Sequence, residues 1–380
     1  MLRRFVLAVL LLCTVPAGFD CGACLWDRDT LVMERQRFPT ALELITGKFL
    51  RHSADFYRWR VDDRRKRIEA EPSPELYDDL AVAYEKLGNT EQAIRVIEKK
   101  AALYPGLYST HANLGTFLFH SGEYELGLAE IDKALAINPD AHFGREIYQE
   151  LLVEYLLSVT QGSQLSLPLS KKGTSGMGPV GFGAFLVANE GGSVAAVDAR
   201  EVIDGAIAGV LGMMKFGNYD SPVLLEALGD LLVSRGFDFD AKQLAARAYL
   251  KASYEVQEKT VQQVYRDKAK SCLKFQTREN GGEGEFTLAE LESQFQSELN
   301  EANVWYEIIK KKEKEWVTAG GNVEQAFESE YYEPPVVGAP SGSNESDSVW
   351  LPVSGVLCAV LVAVSFARVR QRKKATPREE

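Results

Sequence analysis

The sequence predicts an all-α protein built from stacked helical hairpins, and three observations support this fold class. Four residues recur at a spacing of 34, a period typical of helical repeats: Leu80 with Leu114, Gly88 with Gly122, Ile97 with Ile131, and Pro105 with Pro139. Within each copy, apolar residues follow one another at spacings of three and four, as on one face of a helix. Beyond residue 241 the helical pattern continues to about residue 275 without Gly or Pro.

The composition is that of a globular chain. Of the 380 residues, 46% are hydrophobic and 26% are charged, which excludes a disordered, collagen-like or polytopic membrane protein. The first 18 residues carry +2 and residues 368–380 carry +4, so a total charge of −11 leaves −17 on residues 19–367. This acidic body argues against nucleic acid and other anionic partners. Five Cys and four His favour neither a disulfide scaffold nor an imidazole metal site, and no cofactor is expected.

Residues 1–18 have the layout of a secretory signal peptide: two arginines, a short apolar run and small residues. A retained anchor is the alternative, and cleavage sites as late as Ala23 stay open. Cys21 and Cys24 follow closely, and we expect a local disulfide, loss of Cys21 with the signal, or lipidation of Cys24. No βαβ pattern surrounds this CxxC pair, so a catalytic thiol pair is not indicated.

The C-terminus predicts a single membrane span at residues 350–367, because these 18 residues carry no charge and a basic tail, 368–380, follows. The positive-inside rule places that tail in the cytoplasm and the body outside it. Residues 337–349 are rich in Gly, Ser and Pro and predict a flexible stalk. In a competing interpretation, Leu351 to Gly355 resembles an LPxTG sorting signal, with Ser354 in place of Thr, and would lead to cell-wall attachment.

The helices are predicted in chain order. Residues 19–72 form an N-terminal arm and a leading helix over 54–71, and Trp26 to Thr30 is expected to dock onto the first helices. Residues 73–141 hold two hairpins; the first begins with Ser73 as cap and Pro74 at the first helical position, and turns at Gly88.

After the first two hairpins, the sequence predicts a hairpin split by an insertion, a further hairpin and long helices. Residues 142–220 make a split pair, with helices over 142–158 and 198–216 around a Gly-rich insertion at 159–197. Residues 221–255 make another hairpin. Residues 256–336 make long helices, one from Thr287 to about Trp316, whose apolar stripe caps the array or else forms a dimeric coiled coil.

Each copy carries further residues at matching positions. The first has Tyr77, Leu80-Ala81, Tyr84, Gly88, Ala93, Ile97 and Pro105; the second has Leu114-Gly115, Leu118, Gly122, Ile131, Ala134 and Pro139; the third has Leu225, Leu228-Gly229, Leu232, Gly236, Ala241, Ala245 and Ala248. This pattern resembles the tetratricopeptide repeat (TPR), from which the copies depart at Lys100, His111 and Gly127. The resemblance implies a helical-hairpin solenoid that binds proteins.

A TPR array presents a concave groove lined by positions 2, 5, 9 and 12 of each first helix. Carried onto this chain, the resemblance implies a groove made of Glu75, Asp78, Val82 and Glu85, then Ala112, Thr116 and Phe119, then Glu226 and Asp230. Family members that clamp a C-terminal carboxylate use Lys, Arg and Asn there, so this mode is not expected. The acidic residues favour a basic or mixed-charge segment of a partner protein.

No catalytic motif stands out, and we expect a non-enzyme: a membrane-tethered, extracytoplasmic scaffold for protein–protein interaction. Gly176 to Gly181 matches GxGxxG, but a strand does not precede it and Pro179 lies inside it, so a mobile loop is expected there. The alternative is a cell-envelope enzyme with its active site in the 159–197 insertion. Whether the protein is a monomer or a dimer stays open.

Overall fold

The computed structural model describes residues 28, 37–138, 145–160, 165–170, 178–189, 196–236, 239–274 and 286–332. Across these residues the protein is helical and contains no strand, which confirms the all-α prediction. Its fourteen helices are α1 (Ala41–Thr46), α2 (Ala54–Ala70), α3 (Pro74–Lys86), α4 (Thr90–Leu103), α5 (Tyr108–Ser121), α6 (Tyr124–Ile137), α7 (Arg145–Val159), α8 (Gly181–Asn189), α9 (Ala196–Phe216), α10 (Pro222–Ser234), α11 (Phe239–Glu255), α12 (Lys259–Cys272), α13 (Leu288–Ala319) and α14 (Val323–Tyr331).

Neighbouring helices pack in pairs, α3 with α4, α5 with α6, and α10 with α11. Small residues let the partners approach closely. A Cβ added to Gly127 would lie 2.4 Å from the Phe119 ring, and one on Gly229 would lie 2.6 Å from Tyr249. The Gly127 departure from the repeat pattern therefore has a steric reason, since even the methyl group of alanine would overlap the facing ring.

The insertion does not keep α7 and α9 apart, because the two helices pack directly against each other. Gly205 and Gly209 of α9 face the Tyr148 side chain of α7 so closely that a Cβ at either position would overlap it, at 2.2 and 2.8 Å. Within the insertion, residues 181–189 form α8, directly after the segment expected as a loop, and α8 packs on α10.

Two helices occupy the segment where the helical pattern continues without interruption. The pattern from residue 241 to 275 contains no Gly or Pro, yet α11 ends at Glu255 and α12 begins at Lys259. The break lets α12 fold back along α11, and this brings Tyr265 and Lys268 onto the buried Glu226 of α10. Tertiary contacts therefore decide this boundary.

The long helix α13 begins as predicted, where Thr287 and Glu290 form a reciprocal capping box. It then runs from α11 back to α2 near the start of the described chain. Its apolar stripe is buried within the chain: Leu291, Phe295, Ala302 and Ile309. Further along α13, the buried Glu313 carboxylate accepts from the Ser53 N–H at 2.7 Å and lies 2.5 Å from the His52 ring nitrogen. Helix α13 thereby links the two ends of the array.

Arg28 is the described residue of the Trp26 to Thr30 segment, and it docks onto the helices. The Arg28 N–H donates to Asp79 of α3 at 3.0 Å, and the Arg28 guanidinium pairs with Glu324 of α14 at 3.1 Å. Glu324 also binds the buried Arg60 and Arg64 of α2. This ion-pair cluster joins the arm, α2, α3 and α14.

The predicted terminal segments lie outside the described residues. These are the signal peptide (1–18), Cys21 and Cys24, the stalk (337–349), the span (350–367) with its sorting-like Leu351 to Gly355, and the basic tail (368–380). Among the helices that are described, none is both long and apolar enough to cross a membrane.

Candidate functional site

The predicted groove residues divide into three groups. Four of them line one cavity of about 830 Å³: Val82, Glu85, Thr116 and Phe119. Another four are buried away from its walls: Asp78, Ala112, Glu226 and Asp230. Glu75 is exposed at the start of α3. The expected acidic groove is therefore wrong for three of its carboxylates, because they lie inside the protein and are bound by its own residues.

Asp78 is bound by Lys100, the residue that departs from the small side chain of the repeat pattern. The Lys100 ammonium donates to both Asp78 oxygens at 2.7 Å, and the Asn113 amide donates to one of them at 3.0 Å. Burial raises the pKa of Asp78 to about 6, and burial lowers the pKa of Lys100. This pair is an internal tie between α3 and α4 and offers no carboxylate to a partner.

Glu226 is bound by the insertion. It is fully buried and accepts from the backbone N–H groups of Leu169 at 2.8 Å and Ser170 at 3.1 Å. The Tyr265 hydroxyl donates to it at 2.7 Å, and Lys268 forms an ion pair with it. Burial, and then the Asp230 charge, raise the pKa of Glu226, although Lys268 opposes this shift.

Asp230 holds the first turn of α8. It accepts from the Phe182 N–H at 3.2 Å and from the Tyr249 hydroxyl at 2.6 Å, and Lys268 lies 3.3 Å away. Burial lowers the pKa of Lys268, but the Asp230 and Glu226 charges outweigh burial and raise it. Gly181 is needed here because its φ is +47° and an added Cβ would lie 1.7 Å from Asp230.

Three observations concern the described part of the insertion and the groups that it contacts. The N-terminus of α8, where a GxGxxG motif would hold a phosphate, is already bound to the Asp230 carboxylate. The Glu226 and Asp230 carboxylates, which bind the insertion, are buried and do not line the cavity. Within the described ranges there is also no cluster of three His, Cys, Asp or Glu suited to a metal ion.

The cavity has a cationic wall where three basic side chains meet the turn after α9. Lys215 lies in the last turn of α9, and the Lys86 ammonium donates to the carbonyls of Phe216 at 2.6 Å and Gly217 at 2.5 Å. The Arg51 guanidinium donates to the Tyr219 hydroxyl at 3.2 Å. The single carboxylate among the lining residues is Glu85. Three cations and one carboxylate give this lining a formal charge of +2.

Two aromatic rings fix the Arg51 side chain. Its central carbon lies 3.5 Å from the centroid of the Tyr306 ring and 4.6 Å from that of Tyr219, which is cation–π geometry. Burial raises the pKa of both phenols to about 12, so neither hydroxyl ionises near neutral pH. The rings therefore act as a neutral platform that holds the guanidinium at the wall.

The remaining walls are apolar and carry a few polar groups. The apolar part is made by α7 and α9: Leu152, Val153, Leu156, Met213 and Met214. Gln149 donates to the Thr116 hydroxyl at 3.1 Å, and Glu85 lies 2.6 Å from the ring nitrogen of His120. Gly88, His120 and Asn218 are exposed lining residues, so they mark the side on which the cavity meets solvent.

Sequence reasoning missed the cationic wall. Arg51 precedes the repeats and Lys215 and Tyr219 follow the insertion, so none of them occupies a groove position of the repeat. The sequence signal for this wall is weak: two basic residues, Lys86 and Lys215, lie near the ends of predicted helices. Their meeting depends on how α3 and α9 approach, which no local pattern encodes.

Comparison with known proteins identifies no family. No family model matches the chain, and no curated protein shows significant sequence similarity to it.

Proposed function

We propose that this protein is a non-enzymatic scaffold of the tetratricopeptide type that binds a segment of a partner protein in the 830 Å³ cavity. One observation carries the proposal. Positions 9 and 12 of the first two repeats, which the family pattern assigns to the groove, line the same cavity: Val82, Glu85, Thr116 and Phe119. Its volume is within the range of ligand sites, and its walls combine apolar surface with a few fixed polar groups.

The charges of the cavity lining also narrow the choice between a basic and a mixed-charge partner segment. Because Asp78, Glu226 and Asp230 are bound internally, the cavity walls do not present the acidic surface that would favour a purely basic segment. The lining holds both signs of charge, Glu85 against Arg51, Lys86 and Lys215. This supports the mixed-charge partner among the two expected classes.

A photo-cross-linking experiment in native membranes tests the use of the cavity. A benzoylphenylalanine placed at the exposed cavity residue Asn218 should form a discrete adduct with a partner protein. The matched position is Leu126, which is 58% exposed on α6 and does not line the cavity. Adducts from both positions alike, or from Leu126 alone, would refute the cavity as the binding surface.

The cellular placement is part of the proposal and rests on the two terminal segments. We propose that the span at 350–367 holds the body outside the cytoplasm and leaves the 368–380 tail inside. Epitopes inserted at residue 340 and after residue 380 separate the alternatives in intact cells. Protease access to the first epitope alone supports the tether; loss of the second epitope from the mature protein supports sortase-type processing.

A further inference from the structure

The positive charge at one end of the cavity indicates the sign of the charge on the bound segment. Arg51 is half-buried, and its hydrogen bonds go to neutral acceptors: the carbonyls of Gly47 and Phe49 and the Tyr219 hydroxyl. The structure shows no ion pair for Arg51 with any residue that it describes. Since taking a charge out of water without a counter-charge is costly, this guanidinium favours an anion arriving beside it.

Two further cations extend the same wall. Lys215 is 9% exposed, and its ammonium lies 4.6 Å from the Phe216 ring centroid. Lys86 binds the two carbonyls that follow. Hydrogen bonds to carbonyls leave the charge of an ammonium in place, so both lysines add to the potential around Arg51.

The other walls require an apolar body and hydrogen-bond donors. Leu152, Leu156 and Met213 offer apolar contact. The Oε1 atom of Gln149 is buried and accepts no hydrogen bond from the described chain. An unpaired buried acceptor is costly, and Gln149 lines the cavity, so a ligand with an N–H group suits this wall. A peptide backbone supplies such groups, whereas the hydrocarbon chain of a fatty acid does not.

We propose that the stretch of the mixed-charge partner that enters the cavity is an acidic, apolar peptide segment. Its carboxylate side chain meets the Arg51, Lys86 and Lys215 wall, and neighbouring apolar side chains fill the α7 and α9 side. This inference rests on the proposed function and specifies the partner's chemistry. It also opposes the expectation drawn from the overall charge of −17, because the local charge of the lining has the opposite sign.

A peptide panel tests the chemistry on the unaltered full-length protein in detergent. The probe is a fluorescein-labelled decapeptide of alternating Leu and Glu, compared with versions in which Gln or Lys replaces Glu. Fluorescence polarisation should show the Glu peptide binding about tenfold or more tightly than the Gln peptide, the scale of a charge-assisted hydrogen bond. Equal binding of the Glu and Gln peptides, or tighter binding of the Lys peptide, would overturn the inference. Displacement of the Glu peptide by decanoate but not by the unlabelled peptide would assign the cavity to fatty acids and also overturn it.

Variants place the binding at the cationic wall. Arg51→Gln and Lys215→Gln should each weaken Glu-peptide binding about tenfold and leave Gln-peptide binding unchanged. Lys259→Gln removes the same charge from an exposed site at the start of α12 that does not line the cavity, so it should have no effect. Circular dichroism and the melting temperature confirm folding of each variant. Equal loss in all three variants would show non-specific attraction and refute the site. If Asn218 cross-links a partner while the panel shows no preference for Glu, the scaffold stands and only this inference fails.

Discussion

The buried pair of Asp78 and Lys100 provides the sharpest test of the packing. Lys100→Met keeps the length of the side chain but removes the ammonium that donates to both Asp78 oxygens at 2.7 Å. Asp78 is 2% exposed, so without Lys100 its carboxylate stays buried beside the neutral Asn113 amide and Ser109 hydroxyl. Removing one partner from a buried ion pair costs about 3–5 kcal/mol, and we expect the free energy of unfolding to fall by that amount at pH 7.

The loss should shrink in acid. Burial already raises the pKa of Asp78 to about 6, against about 4 in the unfolded chain, so the folded state binds more protons between these values. The stability contributed by protonated Asp78 is present below pH 4 and is lost as the pH rises through 6. Lys100 lowers the pKa of Asp78, so in the Lys100→Met variant protonated Asp78 adds stability up to a higher pH. The variant should therefore differ less from the wild type in free energy of unfolding at pH 5 than at pH 7.

Urea unfolding of the full chain, followed by circular dichroism at pH 7 and pH 5, measures both effects. Two controls accompany it: Lys99→Met, at an exposed position one residue away, should change stability by about 0.5 kcal/mol or less. Replacing both partners in Asp78→Leu with Lys100→Met should be close to neutral, since no buried charge remains. A Lys100→Met loss below about 1 kcal/mol, or a double variant as unstable as the single one, would refute the buried pair.

Three further outcomes follow from particular contacts. Gly127→Ala should lower the melting temperature, because its methyl group would lie 2.4 Å from the Phe119 ring and such overlap costs about 1–3 kcal/mol; an unchanged melting temperature contradicts this packing. Glu226→Gln should speed hydrogen exchange at the Leu169 amide, which donates to the carboxylate, whereas unchanged exchange would show that the charge does not hold the insertion. Burial raises the pKa of the Cys272 thiol to about 12, so iodoacetamide at pH 8 should label the Cys272 peptide only after unfolding; labelling of the native protein would contradict its burial.

Helices and pairs could be read from the sequence because their determinants are local. Pro74 begins α3, Thr287 caps α13, and the 34-residue spacing identifies which helices are alike. No Gly or Pro marks the break between α11 and α12, although it follows residue 255, where the repeat length ends the third hairpin. It exists because Lys268 and Tyr265 reach Glu226 only when the chain turns back.

The candidate site was predictable in part for the same reason. The family resemblance placed Val82 and Phe119 at groove positions, and both residues line the cavity. It could not show that Lys100 would cover Asp78, because the two residues are 22 positions apart and on different helices. It also could not show that an insertion would bind Glu226 from 57 positions away.

The order of residues along the chain thus fixed what depends on near neighbours: helical class, hairpin pairs and the apolar face of each helix, because these follow from backbone geometry and spacing. Only the tertiary structure decided the sign of the net charge on the cavity lining. The carboxylates at groove positions are buried and bound by ammonium and N–H groups from distant segments. Arg51 and Lys215 occupy no groove position of the repeat, yet they line the cavity. Electrostatic environment depends on distances between elements, and those distances are set only when the elements pack.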